Sequence, residues 1–477
     1  MSAARRASLA AMPLVLLAML GMVPVCLAQD NSQRVVAQVI DEYVNQGLES
    51  NLALRSQTLE LERATAALDA ARANYFPQLD FLARYTWAEG GRQIVVPLAD
   101  ALNPVYTTLN ELLTADGRPA GLPQIEDRGF NLIREREQDT RVSLRQPLFA
   151  PAIPAAVRAS RDLLGARRYA RAAFARRLQR DISVAYLDWL AAARTVGIVR
   201  SSLALLEENF RVNESLFRNG KITQDQVLRA KAELLAVTQQ LREAENGGSQ
   251  AQSYLNFLLN RPLDDSLEIS EPATTLAAAR ADLVQMRATA LARRPELAQL
   301  ERLEDASSAQ IRIARAARWP TLALGVDAGI QGEAYEFGSG RNFVTLSLLI
   351  NWSLFDGGAR AANERQAVVG FRQTQLQSEQ TARQIELEVQ QALDRLLTAN
   401  DSLTTAEARV AAADAAFLIA SRKRDAGAIS QVEFIDARAS LAAAQLNLNV
   451  TRFALLARQA DLDFATATGE LPVAFAQ

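Results

Sequence analysis

Residues 219–234 read NGKITQDQVLRAKAEL, a glycine set inside an otherwise helix-forming stretch, and residues 426–441, AGAISQVEFIDARASL, repeat it 207 positions later. Gly220 matches Gly427, Ile222 matches Ile429, Thr223 matches Ser430 and Gln224 matches Gln431. Glycine supplies the left-handed backbone on which a helix stops. Thr223–Gln226 and Ser430–Glu433 have capping-box spacing for the helix that follows. Each stretch reads as the tip of a helical hairpin.

The arms of the two hairpins agree. Before Gly220, Ile182, Ala185, Trp189, Ala192, Val196 and Val199 alternate spacings of three and four, a heptad seam. Adding 207 gives Val389, Ala392, Leu396, Ala399, Leu403 and Ala406. The returning arms match as well, Val227, Ala230, Leu234 and Val237 against Phe434, Ala437, Leu441 and Ala444. Only Thr451 and Arg458 break the apolar pattern in the second half, so the chain is an internal duplication. The residues from Pro154 to Asn219 suffice for about 100 Å of helix at 1.5 Å per residue.

A second repeat lies upstream of each hairpin. ARANYFPQL (71–79) matches ARAARWPTL (314–322), and both close an amphipathic helix at a proline. The period then changes to two. Leu79, Phe81, Ala83, Tyr85 and Trp87 oppose Asp80, Arg84 and Thr86, with Leu82 as the exception. Val142 and Leu144 oppose Arg141, Ser143 and Arg145. Leu322, Leu324, Val326, Ala328 and Ile330 oppose Thr321, Gly325 and Asp327, and Val344, Leu346, Leu348 and Ile350 oppose Thr345, Ser347 and Asn351. These are four strands of about ten residues, each with one greasy and one polar face. One such strand fits a soluble sheet; four, with Tyr85, Trp87 and Trp352 near their ends, fit the wall of a transmembrane barrel. Four strands cannot close a membrane barrel, which needs about eight, and an open edge in lipid leaves backbone groups unpaired. Strands that span the membrane must therefore come from several chains.

The rest of the sequence narrows the function. The chain has 477 residues and a net charge of −2, with no histidine and one cysteine, Cys26. The balanced charge gives no nucleic-acid footprint. Cys26 lies in a segment that reads as removed, so imidazole and thiolate chemistry and most zinc sites are excluded for the mature chain, and no phosphate-cradling GxxxxGK occurs. No catalytic residues, cofactor or metal are expected, and the chain does not read as an enzyme. Residues 1–28, with Arg5 and Arg6 ahead of an apolar run that ends in CLA, read as a signal peptide. The expected organisation is a first repeat over 29–260, a linker over 261–290, a second repeat over 291–470 and a tail over 471–477. The strand pair of the second half is joined by QGEAYEFGSGRN; that of the first half by a loop over 88–135, rich in Gly and Pro, with a short helix near Asn110.

Helix, strand pair and long hairpin, twice over behind a signal peptide, resemble the TolC family of outer-membrane efflux channels. The resemblance covers nearly the whole mature chain. Its markers are ARANYFPQL, ARAARWPTL, LFDGGAR (354–360), LNRPL (259–263), RRPEL (293–297) and the two glycine tips. It implies a mainly α fold with a β-barrel part, in which a homotrimer forms a twelve-stranded barrel in outer-membrane lipid and a periplasmic helical barrel of coiled-coil hairpins. It implies docking of a periplasmic adaptor (membrane fusion protein) and an inner-membrane pump at the tips, Gly220, Lys221, Ile222 and Thr223 with Gly427, Ala428, Ile429 and Ser430. It also implies an acidic periplasmic entrance, carried here by Glu433 and Asp436. Glu433 stands where the family usually has aspartate. Without the resemblance the two acids read as a capping glutamate and a solvated aspartate. The function expected is a passive outer-membrane duct extending into the periplasm. The alternative is a periplasmic coiled-coil adaptor or scaffold, which needs one hairpin and no lipid-facing strands.

Overall fold

The structure, a computed structural model, describes residues 35–270, 282–469, 471 and 475. The expected signal peptide, with Cys26, and Pro272 of the linker lie outside the described residues. The elements in chain order are α1 (Val36–Ser50), α2 (Leu52–Ala73), β1 (Gln78–Trp87), β2 (Gln93–Val96), α3 (Leu98–Ala115), β3 (Arg128–Asn131), β4 (Arg136–Phe149), α4 (Ala152–Arg218), α5 (Gln224–Leu258), α6 (Leu283–Arg293), α7 (Pro295–Ala316), β5 (Thr321–Gly332), β6 (Asn342–Asn351), α8 (Ala359–Asp425) and α9 (Gln431–Thr466).

The duplication is carried through to element lengths. α4 and α8 each have 67 residues, and α2 and α7 each have 22. The pairs α1–α2 and α6–α7 are each broken at one extended residue, Asn51 (ψ 123°) and Arg294 (ψ 120°). The Asn51 side chain caps α2 by accepting from Leu54 N–H at 3.0 Å. Arg294 is followed by Pro295, which suits the first helical position. The LFDGGAR marker is the turn from β6 into α8. Gly357 and Gly358 take φ +64° and +90°, and the Asp356 carboxylate accepts the N–H groups of Gly358 (3.1 Å) and Arg360 (2.9 Å).

Three layers stack along the molecule. At one end lies an antiparallel sheet in the order β1-β4-β5-β6. Its rows alternate. Phe81, Val142, Ala328 and Val344 form one row, Asp80, Ser143, Asp327 and Thr345 the next. The greasy face is uncovered, with Phe81 71%, Val344 75% and Leu346 73% exposed. The other face is polar: Asp139 lies 3.7 Å from Arg84 and 3.9 Å from Arg141, and the Ser143 hydroxyl donates to Asp327. Gly329 sits in that face where a side chain would meet Thr140 O at 2.2 Å. Below the sheet the helices neighbour one another in the order α2-α4-α7-α8, and further down in the order α5-α4-α9-α8.

Between the helical layers lie two matched cores. In the first half Leu178, Ile182, Ala185, Leu255 and Leu258 are buried with α1; in the second, Ile385, Val389, Ala392, Leu462 and Ala465 are buried with α6. Every member of the second set is the first set's residue plus 207. This core accounts for an 18-residue window of α4 with a mean hydropathy of 1.4, of which 39% is buried inside the protein. The methyl groups are distributed differently in the two halves. α1 presents Gly47 to Ile182, whereas α6 buries Ala290 in one cluster with Val389.

The loop over 88–135 differs from its expected form. It carries two further strands, β2 and β3, paired antiparallel, and an 18-residue helix, α3, containing Pro104. The chain therefore has six strands among the described residues, four in the main sheet. The helix is held by side chains that a turn-rich composition hides. Asn103 exchanges two hydrogen bonds with the Ile125 backbone (2.9 and 2.8 Å), and Asn110 does the same with Leu122 (2.9 and 3.0 Å).

Candidate functional site: the two helical tips

Both tips are built alike. Gly220 has φ +66° and Gly427 φ +68°. Gly220 N–H donates to Phe217 O (2.9 Å) and Lys221 N–H to Leu216 O (2.9 Å); Gly427 N–H donates to Arg424 O (2.8 Å) and Ala428 N–H to Lys423 O (2.7 Å). These paired bonds are the Schellman closure of a helix, and they require the left-handed residue that glycine supplies. Gly220, Lys221, Thr223, Gly427, Ala428 and Ser430 are exposed, and Ile222 and Ile429 are half-buried.

The caps differ. The Ser430 hydroxyl accepts Glu433 N–H at 3.3 Å. Thr223 makes no such cap, and its hydroxyl instead donates to the Asp225 carboxylate. The capping box expected at Thr223–Gln226 is therefore not formed; the Gln226 N–H donates instead to the Thr223 carbonyl at 3.2 Å.

Glu433 and Asp436 are both exposed on the first turns of α9. The opposite side of that helix is packed. Phe434 is 1% exposed, beneath the Arg424 guanidinium (4.0 Å to the ring centre) and beside Phe417 (5.7 Å between ring centres). Gln431 donates to the Asn209 side chain at 2.7 Å, joining the second hairpin to the first. Arg438 is 5% exposed; burial lowers the pKa of its guanidinium, and Glu233 on α5 opposes that shift. Further up, Asn449 donates to Ala191 O (2.8 Å) and to the Thr195 hydroxyl (3.1 Å). Arg438, Asn449 and Phe453 form a second seam on α9, toward the first hairpin. Sequence reading found only the seam toward α8. Arg438 and Asn449 are polar, and a polar residue off the heptad looks like a solvated one; the buried Phe453 was the one signal available.

At the far end of these helices Arg294 of RRPEL acts as a junction. It is 6% exposed, pairs with Glu296 (2.9 Å) and Glu388 of α8 (3.2 Å), and donates to Ala465 O of α9. Nearby, burial raises the pKa of the Asp463 carboxyl, opposed by hydrogen bonds from Gln459 and Thr468.

The profile of the outer membrane efflux protein family matches residues 43–261 and 286–468, most of both halves. The chain belongs to the outer membrane efflux protein family. Membership places it in the outer membrane, among efflux proteins. The chain is 26% identical over 272 residues to the pyoverdine export outer membrane protein OpmQ of Pseudomonas putida, a match over 56% of each protein. It thus spans a little over half the length of that relative. Its fold is that of the outer-membrane channel OprN (20% identity, TM-score 0.72, covering 91% of this chain and 90% of that one). It is also that of the Campylobacter jejuni CmeC outer membrane channel (16% identity, TM-score 0.74, 96% and 94%).

Proposed function

We propose that three copies of this chain form a passive export duct through the outer membrane and periplasm, fed at the tips by a periplasmic adaptor and an inner-membrane transporter. The supporting observation is that all three layers end on the same pair of edges. The sheet ends on β1 and β6, the upper helices on α2 and α8, and the lower helices on α5 and α8. Each edge helix carries exposed leucine or valine one heptad apart: Leu52 and Leu59 on α2, Leu228 and Leu235 on α5, Val369 and Leu376 on α8. One rotation that brings β6 to the next copy's β1 also brings α8 to its α2 and α5. Three copies supply twelve strands, enough for a membrane barrel with a water-filled interior, and all edges of the four-stranded sheets are then paired. The Gly220 and Gly427 tips are the adaptor-docking elements. Glu433 and Asp436, turned away from the packed side of α9, form a ring of six carboxylates at the entrance. Such a ring attracts cations, and low-dielectric walls focus its field.

The test is native mass measurement followed by single-channel recording in a planar bilayer. A three-chain mass and a cation-selective conductance are expected. A monomer that inserts and conducts overturns the assembly. Glu433→Gln with Asp436→Asn should abolish selectivity in an intact trimer; unchanged selectivity returns the pair to a helix cap and a solvated acid.

A further inference from the structure

The loop over 88–135 and the turn between β5 and β6 each leave an apolar surface uncovered. In β2, Ile94 is 52% and Val96 38% exposed, and Phe130 of β3, opposite Ile94, is 57% exposed; in the β5–β6 turn, Tyr335 is 57% and Phe337 84% exposed. Phe337 is among the most exposed large apolar residues of the chain, and water is a costly surrounding for a ring of that size.

Topology brings the outer edge of β2 to the β5–β6 turn only between copies, because β3 stands between them within one chain. The β1–β4 ribbon does not stop at Trp87. Ala88 N–H donates to Glu135 O (2.9 Å), Leu132 N–H donates to Arg92 O (2.9 Å), and β2–β3 pairing resumes at Gln93 and Asn131. Gly90 and Gly91, with φ +79° and +108°, bend the ribbon between these points. β2 is thus the continuation of edge strand β1, and β3 that of β4. Among the described residues of the single chain, no strand lies beside the outer side of β2 or of β1. Within one chain the β5–β6 turn lies on the far side of the sheet from β1. In the closed barrel β1 lies beside the next copy's β6, and the residues leaving the outer end of β1 run beside those entering β6. The charges fit this neighbour: exposed Arg92 and Arg128 flank the β2–β3 ribbon, while exposed Glu333 precedes the aromatic pair, and Glu336 within it pairs with Arg341 of its own chain at 2.6 Å.

We infer that the β2–β3 ribbon is a clasp outside the membrane, seated on the β5–β6 turn of a second copy of this chain, with Phe337 against Ile94 and Val96. The inference rests on the three-copy barrel and continues its seam beyond the lipid. The clasp shields the free edge of β2, which would otherwise recruit foreign strands, and joins the barrel rim into a collar. The polar side of α3, tied down through Asn103 and Asn110, holds the loop in shape for this contact.

The experiment is disulfide trapping in the full-length protein with Cys26 replaced by serine. Ile94→Cys with Phe337→Cys, and Val96→Cys with Phe337→Cys, are each oxidised and run without reductant, beside native mass measurement of the same samples. Covalent two-chain and three-chain species are expected from at least one pair, and none from the single cysteines. A trimer by native mass with no cross-linked species overturns the clasp and leaves the barrel standing. A monomer overturns both. A link confined within one chain, or a ladder from a single cysteine, also overturns the clasp. A second arm is Phe337→Ser, which should lower the temperature at which trimers dissociate by several degrees while leaving single-channel conductance unchanged. An unchanged dissociation temperature counts against the clasp.

Discussion

The pairing of Gly47 with Ile182 makes a quantitative claim about the core. A Cβ on Gly47 would lie 2.2 Å from Ile182 Cδ1 and 3.4 Å from Leu259 Cδ2. Ile182 and Leu259 are both 0% exposed, so neither can swing into open space. Gly47→Ala therefore sets two effects against each other. Alanine in a helix interior gains about 1 kcal/mol over glycine, while overpacking a filled core costs about 1–3 kcal/mol. The net is a loss of up to about 2 kcal/mol by those two figures. Ile182→Val alone loses about 0.5–1.5 kcal/mol by deleting a buried methyl. The two together reproduce the second half of the same protein, where Ala290 and Val389 are buried in one cluster. The double variant should then be near the parent in stability, with a coupling equal to the two single losses together, about 0.5–3.5 kcal/mol. The assay is thermal melting of the four proteins, parent, two singles and double, at one scan rate. Additive losses in the double variant would refute the packing argument.

The tips should respond to backbone conformation rather than to crowding, because a Cβ on Gly220 or Gly427 meets nothing within 4 Å. Gly220→Asn should be close to neutral, whereas Gly220→Val should cost about 1–2 kcal/mol, a factor of about 5–30 in tip opening, read as faster amide exchange at Lys221; equal exchange in both variants would end the argument. Gly427→Val should lower export more than trimer yield, measured by transport against native mass. The Asp463 carboxyl has a raised pKa through burial, so its ionised form costs stability. That cost is absent below the ordinary carboxylate pKa and appears as pH rises through the raised value. Asp463→Asn should therefore melt above the parent at about pH 8 and converge with it near about pH 4; a constant difference across that range would contradict the sign.

The two hairpins, their tips and the four main strands were legible because each rests on a pattern that local chemistry repeats. Glycine marks the stop, heptads mark the seam, and alternation marks the sheet. What stayed hidden rests on side chains that act against type. Asn103 and Asn110 usually mark turns, yet here their amides hold a helix to an extended strap. Arg438 and Asn449 usually face water, yet here they lie in the seam between hairpins. Gly47 has an ordinary φ and is set only by the length of Ile182 across from it.

Where the halves agree, the duplication explains the residue; where they differ, a separate cause is needed. The acids at the second tip are such a difference. Subtracting 207 from Glu433 and Asp436 gives Gln226 and Arg229, so the first tip carries a neutral and a basic residue at the same helical positions. A requirement for solvation alone would accept either charge at both tips. An entrance requires negative charge only on the hairpin that reaches the axis. Gln226→Glu with Arg229→Asp writes the acidic pair onto the first tip and adds as many carboxylates to a trimer as the second tip already holds. If only the second tips line the opening, this change should leave cation selectivity in planar bilayers close to that of the parent, because exposed charges set back from the opening by more than a Debye length, about 8–10 Å in physiological salt, are largely screened. Removing Glu433 and Asp436 should abolish selectivity in the same assay. A first-tip variant that gains as much selectivity as the second-tip variant loses would show that the pore senses total tip charge, and the assignment of the entrance to Glu433 and Asp436 would fail.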